Sequence, residues 1–205
     1  MQSKFYKQFG KRLFDIIGAC IGLIILLPLF FIISILIKIT SKGNVFFLQE
    51  RIGKYYRPIR VVKFRTMHVN TSLKQNYFEP GNAARITKLG RILRKTKLDE
   101  IPQLINVFKG DMSIVGPRPE VKDWTEVYSE KWDLVLSVRP GMTDYAAVFF
   151  RNEEDILFSA VDPIEVYKNE ILPQKINLYL EYIENQSFYT DFSIILKTLK
   201  VVILK

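Results

Sequence analysis

The stretch Lys97–Glu120, KLDEIPQLINVFKGDMSIVGPRPE, governs how the rest of the chain is read. Ile101, Leu104, Ile105 and Phe108 recur at helical spacing, so a short amphipathic helix is expected. Pro102 falls in its first turn, where a missing N–H costs little, and Gly110 is a natural stop. That puts adjacent carboxylates, Asp99 and Glu100, at the helix N-terminus, where backbone N–H groups and the dipole favour anions. A carboxylate there is expected to stay ionised, as a nucleophile or a metal ligand must. Acids in a first turn are also ordinary partners of the dipole, so the pair alone leaves both readings open. Between Arg51 and Lys97, however, 13 Lys and Arg face a single acid, Glu79. An acid pair at the end of so basic a tract looks like a site for a phosphate and a metal.

Working outward, the residues after the helix form SIVGPRPE. Gly116, Pro117 and Pro119 make a stiff turn that presents Arg118, and an arginine on a stiff turn suits bidentate phosphate binding. Before the helix, ARITKLGRILRKT over 84–96 reads as a basic helix. Most of its charges fit a solvated or membrane-surface face as well as a substrate face. Arg94, five residues before Asp99, is the one singled out for phosphate. Residues 45–64 read as a β-hairpin: VFFLQ, a turn-rich basic RIGKYYRP, then the alternating IRVVKF. KFRTM places Lys63 and Arg65 on one strand face, fit to hold a diphosphate or simply to be solvated. Residues 68–82 read as a polar loop ending at Pro80-Gly81.

The remaining elements are coarser. A helix with Trp124, Val127, Tyr128, Val135 and Leu136 on one side is expected over 121–138. Arg139-Pro140-Gly141 opens a loop into a strand, YAAVFF. An acidic helix over 162–184, broken at Pro173, precedes the apolar SFYTDFSIILKTLKVVILK, which packs on the body or lies in a membrane interface.

Length and charge set bounds. The 205 residues make one domain, or one domain plus an anchor, and the net charge is +9. It is uneven: +4 over 1–50, +12 over 51–97 and −7 over 98–205. One region therefore meets an anionic partner: lipid head groups, nucleic acid or a nucleotide. A single cysteine, Cys20, excludes an intrachain disulfide, and a single histidine, His68, disfavours a histidine-based zinc site. There is no P-loop and no GxGxxG.

At the N-terminus, Lys4, Lys7, Lys11 and Arg12 alternate with aromatics, as in a helix at a membrane surface. From Ile16 to Ile37 there are 22 residues without a charge, long enough to cross a bilayer. Pro28 interrupts this run, and both flanks are basic. A crossing helix cannot place both flanks on the positive side, whereas a segment that enters, bends at Pro28 and returns can. A proline-kinked spanning helix is the alternative. The fold class expected is α+β, mostly helical. A re-entrant membrane segment over 1–42 leads into a catalytic domain over 43–205, with a small hairpin and amphipathic interfacial helices.

QERIG, KFRTM, LDEIPQLINVFKGDMSIVGPRPE and VRPGMT follow one another behind a proline-containing apolar segment. This order resembles the bacterial sugar transferase family, the small monotopic phosphoglycosyltransferases, over roughly Lys11 to Leu204. The resemblance implies transfer of a phosphosugar from a nucleotide diphosphate sugar, a UDP-sugar, to polyprenyl (undecaprenyl) phosphate, with Mg²⁺. It places the enzyme at the cytoplasmic face of the bacterial inner membrane, starting the assembly of a polysaccharide. It makes Asp99 the nucleophile that releases UMP and keeps the phosphosugar, with Glu100 beside it as catalytic partner and both acids as metal ligands. Lys63, Arg65, Arg94, Arg118 and Arg139 match the family's basic motifs and are implied to bind substrate phosphate. Implied partners are the two substrates and membrane phospholipid, without nucleic acid; a homodimer is left open.

Two departures stand out. Members often carry Ser before the proline of the apolar segment, where this chain has Leu27. Members commonly read RPGITGWAQV where this chain reads RPGMTDYAAV, so Asp144, Tyr145 and Ala147 differ. Two other readings stay in view: a non-enzymatic anchored module that binds anionic lipid or nucleic acid, and a single-displacement transferase in which Asp99 only holds metal.

Overall fold

In the computed structural model, residues 6–68 and 85–203 are described. The polar loop expected over 68–82 lies, from residue 69 onward, outside them. A π-helical turn, Tyr6–Gly10, leads into the longest element, α1, Lys11–Thr40. Its helical assignment is continuous through Pro28. Together these segments form a helix long and apolar enough to cross a membrane.

One side of α1 packs along the body of the protein. Gly18, Ala19 and Gly22 let it come close: a Cβ at Gly18 would stand 2.5 Å from Ile114 Cδ1, and one at Gly22 3.0 Å from Leu104 Cδ1. Further along, Ile33 and Ile37 are buried against Phe64 and Leu93. The other side leaves Ile17, Ile21, Ile24, Ile25, Phe31, Ile32 and Ile35 exposed. An apolar face of that size is the mark of membrane association, not of a solvated helix.

The basic residues at and just before the start of α1 are not simply a lipid-facing row. Lys11 is buried, paired with Asp15 at 3.0 Å and Asp191 at 2.7 Å. Tyr6 and Tyr182 donate to the same Asp191 carboxylate, and Asp15 accepts from Ser113 Oγ and the Ile114 N–H. Arg12 donates to the carbonyls of Val107 and Phe108, and Lys7 to those of Ile183 and Glu184. Unpaired carbonyls at helix ends draw these cations inward, which a reading by amphipathicity alone does not anticipate.

The hairpin forms as expected, with β1 at Phe46–Ile52 and β2 at Pro58–Phe64, antiparallel. Strand β1 runs past Gln49 through Arg51 to Ile52, so the turn is confined to the residues around Lys54–Tyr56. Helix α2, Lys88–Lys95, is capped by Thr87, whose hydroxyl accepts the Gly90 N–H at 2.8 Å. Gly90 lies so close to the strand end that a Cβ would fall 2.1 Å from the Thr66 carbonyl oxygen. Helix α3, Gln103–Lys109, ends at Gly110 with φ 97°. Its buried Asn106 clips it to the hairpin by accepting the Val62 N–H and donating to the Arg60 carbonyl.

Strand β3, Ser113–Val115, lies parallel to β4, Gly141–Thr143. The crossover holds two short helices, α4 (Lys122–Glu126) and α5 (Ser129–Val135), in place of the one helix expected over 121–138. Tyr128, at φ 61°, turns the chain between them. The expected strand YAAVFF is instead helix α6, Tyr145–Phe149: Asp144 caps it by accepting the Ala147 N–H. An N-cap is a local signal that overrides the strand propensity of Val and Phe. Helices α7 (Glu153–Ser159) and α8 (Pro163–Val166) lead into a π-turn over Tyr167–Ile171 and then α9, Leu172–Glu184. Pro173 does not break this run, because it sits in the first turn of α9. The main core gathers here around Trp132, Leu172, Ile176 and Tyr179. The last helix, α10, Phe188–Ile203, buries Ile194 and exposes Tyr189, Phe192, Leu196 and Leu199. Its Phe188 meets Phe14 of α1 at 5.6 Å between ring centres, so the two exposed apolar faces adjoin. The architecture is α+β and mostly helical.

Candidate active site

Lys97 takes a left-handed conformation at φ 57° and turns the chain into a single 3₁₀ turn, Leu98–Glu100, ahead of α3. The N–H groups of Glu100 and Ile101 are used inside that turn, on the carbonyls of Lys97 and Leu98. They are therefore not offered to the carboxylates, and the two acids meet different surroundings.

Glu100 is clamped. Lys63 reaches its Oε1 at 3.0 Å from β2, while Arg118 donates to both oxygens, Nη2 to Oε1 and Nη1 to Oε2. Burial alone would raise its pKa, but Arg118 and Lys63 hold it well below the carboxylate range. Asp99 is buried too, and its Oδ1 has no hydrogen-bond partner. Here burial, aided by the Glu100 charge, pushes the pKa up against the opposing pull of Lys63, Lys97 and Arg94. Desolvation thus works against the ionised form that a helix N-terminus is expected to favour. Two neighbouring carboxylates with pKa values driven apart suit two tasks: one fixes cations, the other stays available to react.

Arg118 is placed by a crossing of two loops. The Gly116 N–H donates to the Thr143 carbonyl, and the Gly141 N–H to the Pro117 carbonyl. A Cβ on Gly141 would lie 2.1 Å from the Gly116 nitrogen. Only glycine permits this contact, so GPRP and RPG are one structural device. Arg94 donates its Nε to Thr66 Oγ1 at 3.0 Å, and its charge acts on Asp99.

Two residues singled out from sequence lie elsewhere. Arg65 follows the strand and donates Nη2 to the carbonyl and hydroxyl of Ser41, at the end of α1. Arg139 is exposed and donates to the Gly110 carbonyl, at the far end of α3 from Asp99. Pro28 lies inside α1 and belongs to the membrane-facing element.

A cleft opens beside the cations that hold Glu100, lined by Gln49, Arg51, Val61, Lys63, Gln103, Arg118 and Pro119. Arg51 comes from β1, on the same hairpin face as Lys63: Phe47 pairs with Lys63 and Arg51 with Ile59. In the sequence it belongs to a basic turn and to the QERIG motif, without a role of its own. Behind it stands a buried network that sequence reading also passed over. Arg51 Nη1 is 3.4 Å from Glu120 Oε2; Glu120 Oε1 accepts from Tyr167 at 2.7 Å and Lys175 at 3.2 Å. A signal existed: Lys175 falls three residues after Leu172, within the buried stripe of Leu172, Ile176 and Tyr179.

A divalent ion finds a partial donor set here. Among the described residues no group of three or more Asp, Glu, His or Cys side chains converges. Asp99 offers an oxygen without a partner, while both Glu100 oxygens already face cations. That fits Mg²⁺, which takes one or two carboxylates and completes its shell with substrate phosphate and water. Asp144, which departs from the sequence pattern above, is fully buried with one oxygen unpartnered, and burial raises its pKa to about 6.

A sequence model described as "Bacterial sugar transferase" matches residues 6–205. The chain is 34% identical to the UDP-N-acetylgalactosamine-undecaprenyl-phosphate N-acetylgalactosaminephosphotransferase of Aeromonas hydrophila, covering 95% of this chain and 44% of that protein. It is 34% identical to the exopolysaccharide production protein ExoY of Sinorhizobium fredii, covering 95% of this chain and 86% of that one. It is 38% identical to the UDP-glucose:undecaprenyl-phosphate glucose-1-phosphate transferase of Escherichia coli, covering 92% and 39%. The chain thus spans less than half of two of these relatives and most of the third.

Proposed function

The chain belongs to the bacterial sugar transferase family, whose members are sugar-phosphate transferases, and from that premise we propose that it moves a sugar phosphate from a UDP-sugar to undecaprenyl phosphate through a covalent intermediate on Asp99. The observation that carries this reading is the divided acid pair. Glu100 is held by Lys63 and Arg118, while Asp99 beside it keeps an unpartnered oxygen.

In the first step an Asp99 oxygen attacks the sugar-linked phosphorus. The bond from that phosphorus to the bridging oxygen breaks, and nucleoside monophosphate departs with the electron pair. In the second, a phosphate oxygen of the polyprenyl phosphate attacks the same phosphorus, and the bond to Asp99 breaks, restoring the carboxylate. A carboxylate nucleophile divides one hard displacement into two easier ones. Lys63, Arg118 and Arg94 offset charge on the phosphoryl oxygens as it shifts. Mg²⁺, when bound at Asp99, would supply further charge neutralisation. Burial serves the same end, since a desolvated carboxylate is the less stabilised ground state and excluded water cannot compete for the phosphoryl group.

The tethering of α1 at both ends favours a placement that keeps both flanks on one side of the membrane, although the helix runs on through Pro28. Its 30 residues rise about 45 Å, more than a bilayer's hydrocarbon core of about 30 Å. Yet Arg12 near one end bonds to α3, and Ser41 at the other bonds to Arg65 of the same body. Both ends on one side, with basic flanks, is what the positive-inside rule asks of a segment at the cytoplasmic face. That is the face where a nucleotide sugar is available. Two of the relatives are named for transfer of different sugar phosphates to undecaprenyl phosphate, and the third for exopolysaccharide production. The product is therefore read as the first lipid-linked unit of a polysaccharide.

The test is Asp99→Asn, assayed for release of UMP from UDP-sugars with undecaprenyl phosphate. Release is expected to fall by several orders of magnitude, as for other covalent nucleophiles. Retained turnover would remove the assignment.

A further inference from the structure

Resting on that reading, we propose that Arg51 binds the nucleoside-side phosphate of the donor, and that Glu120, Tyr167 and Lys175 are the positioning residues that aim it. The cleft has direction. At one part of it Lys63 and Arg118 are both seated on Glu100, the neighbour of Asp99. Arg51 lines another part. It lies four residues along β1 from Phe47, the partner of Lys63. That is about 13 Å of strand at ~3.3 Å per residue. Once the sugar-linked phosphorus is at Asp99, the second phosphate and the nucleoside must run away from it. The cleft offers that course past Lys63 and Arg118 toward Arg51.

Arg51 is held for such a task. Its side chain is only 14% exposed, and Glu120 receives it while also taking Tyr167 and Lys175. Lys175 is steadied in turn by Glu153 at 3.4 Å, and donates to the Tyr167 hydroxyl at 3.0 Å. The Ile52 N–H bonds to the Glu120 carbonyl at 2.8 Å, so the backbone beside Arg51 is pinned to the segment that carries Arg118. Three cations, Arg51, Lys63 and Arg118, line one cleft from fixed backbones. Burial most of all, and then their repulsion of one another and of Arg118, opposes the charged forms of Lys63 and Arg51 against the pull of Glu100 and Glu120; an anion with more than one phosphate offsets both. A guanidinium at the leaving-group phosphate would act when donor binds or nucleotide leaves, and be idle afterwards.

That separates it from a structural part. The experiment uses the full-length enzyme in membrane mimic, with a UDP-sugar it turns over, and compares Arg51→Gln with Arg51→Lys. Glu120 keeps Lys175 and Tyr167 in both variants. Arg51→Gln is expected to raise KM for the UDP-sugar about tenfold and weaken product inhibition by UMP about as much. Arg51→Lys should fall between it and the unaltered enzyme. Discharge of preloaded enzyme to undecaprenyl phosphate should not change, because no nucleotide is present in that step. Glu120→Gln should move KM and UMP inhibition the same way by a smaller factor. Unchanged KM and UMP inhibition in Arg51→Gln would overturn the proposal, as would equal slowing of loading and discharge. KM and UMP inhibition are read whether or not an adduct forms, so a failure of the covalent reading is distinguished from a failure of this one.

Discussion

Asp99 must lose its proton to attack phosphorus, and its folded surroundings make that harder. Burial and the Glu100 charge raise its pKa, while Lys63, Lys97 and Arg94 oppose the rise. Activity therefore falls as pH drops through a value higher than that of an ordinary aspartate. Lys97→Gln removes one opposing charge, so the acidic limb of the pH–rate profile should move to higher pH while the alkaline side stays. A limb that stays in place or moves down would contradict this electrostatic account. Adjacent acids in a basic tract were visible in the sequence, as was Arg118 on its stiff turn. Their unequal environments were not, because they depend on Lys63 arriving from a strand 37 residues away. Arg65 and Arg139 show the converse: period two and motif position gave them candidacy, but nearby orphan carbonyls captured them.

At the scale of elements, the site is a junction of short pieces held by close backbone contacts. The GPRP and RPG loops cross at Gly116 and Gly141, and Gly90 brings α2 against Thr66. A Gly141→Ala change would force backbone apart at the crossing, at a cost of about 1–3 kcal/mol on the scale of overpacking. Because Arg118 rides on that crossing, activity should fall further than the loss in thermal midpoint explains. Wild-type activity in a folded Gly141→Ala protein would mean the crossing does not position Arg118. The hairpin and α3 were legible from alternation and helical spacing. Helix α6 and the division between α4 and α5 were not, since an Asp144 cap and a left-handed Tyr128 outweigh the apolar pattern.

Taken whole, the molecule binds its apolar helix at both ends. Lys11, Asp15 and Arg12 lock one end into α10, β3 and α3 in turn, and Ser41 meets Arg65 at the other. The sequence showed the apolar run, Pro28 and the basic flanks, but not that buried pairs would fasten them. Cysteines placed at Gln2 and Lys42, in a Cys20→Ala background, should both be labelled only from the cytoplasmic side. Labelling of the two from opposite sides would establish a spanning helix.

Everything in the chemistry turns on a bond between Asp99 and the phosphorus of the donor, and mass spectrometry reads that bond directly. Enzyme quenched with UDP-sugar and no acceptor should gain one sugar phosphate, mapped to the peptide containing Asp99 and lost when undecaprenyl phosphate is added. Enzyme that turns over under the same conditions, yet never carries that mass in rapid-quench samples, would contradict the account and leave Asp99 without a covalent role.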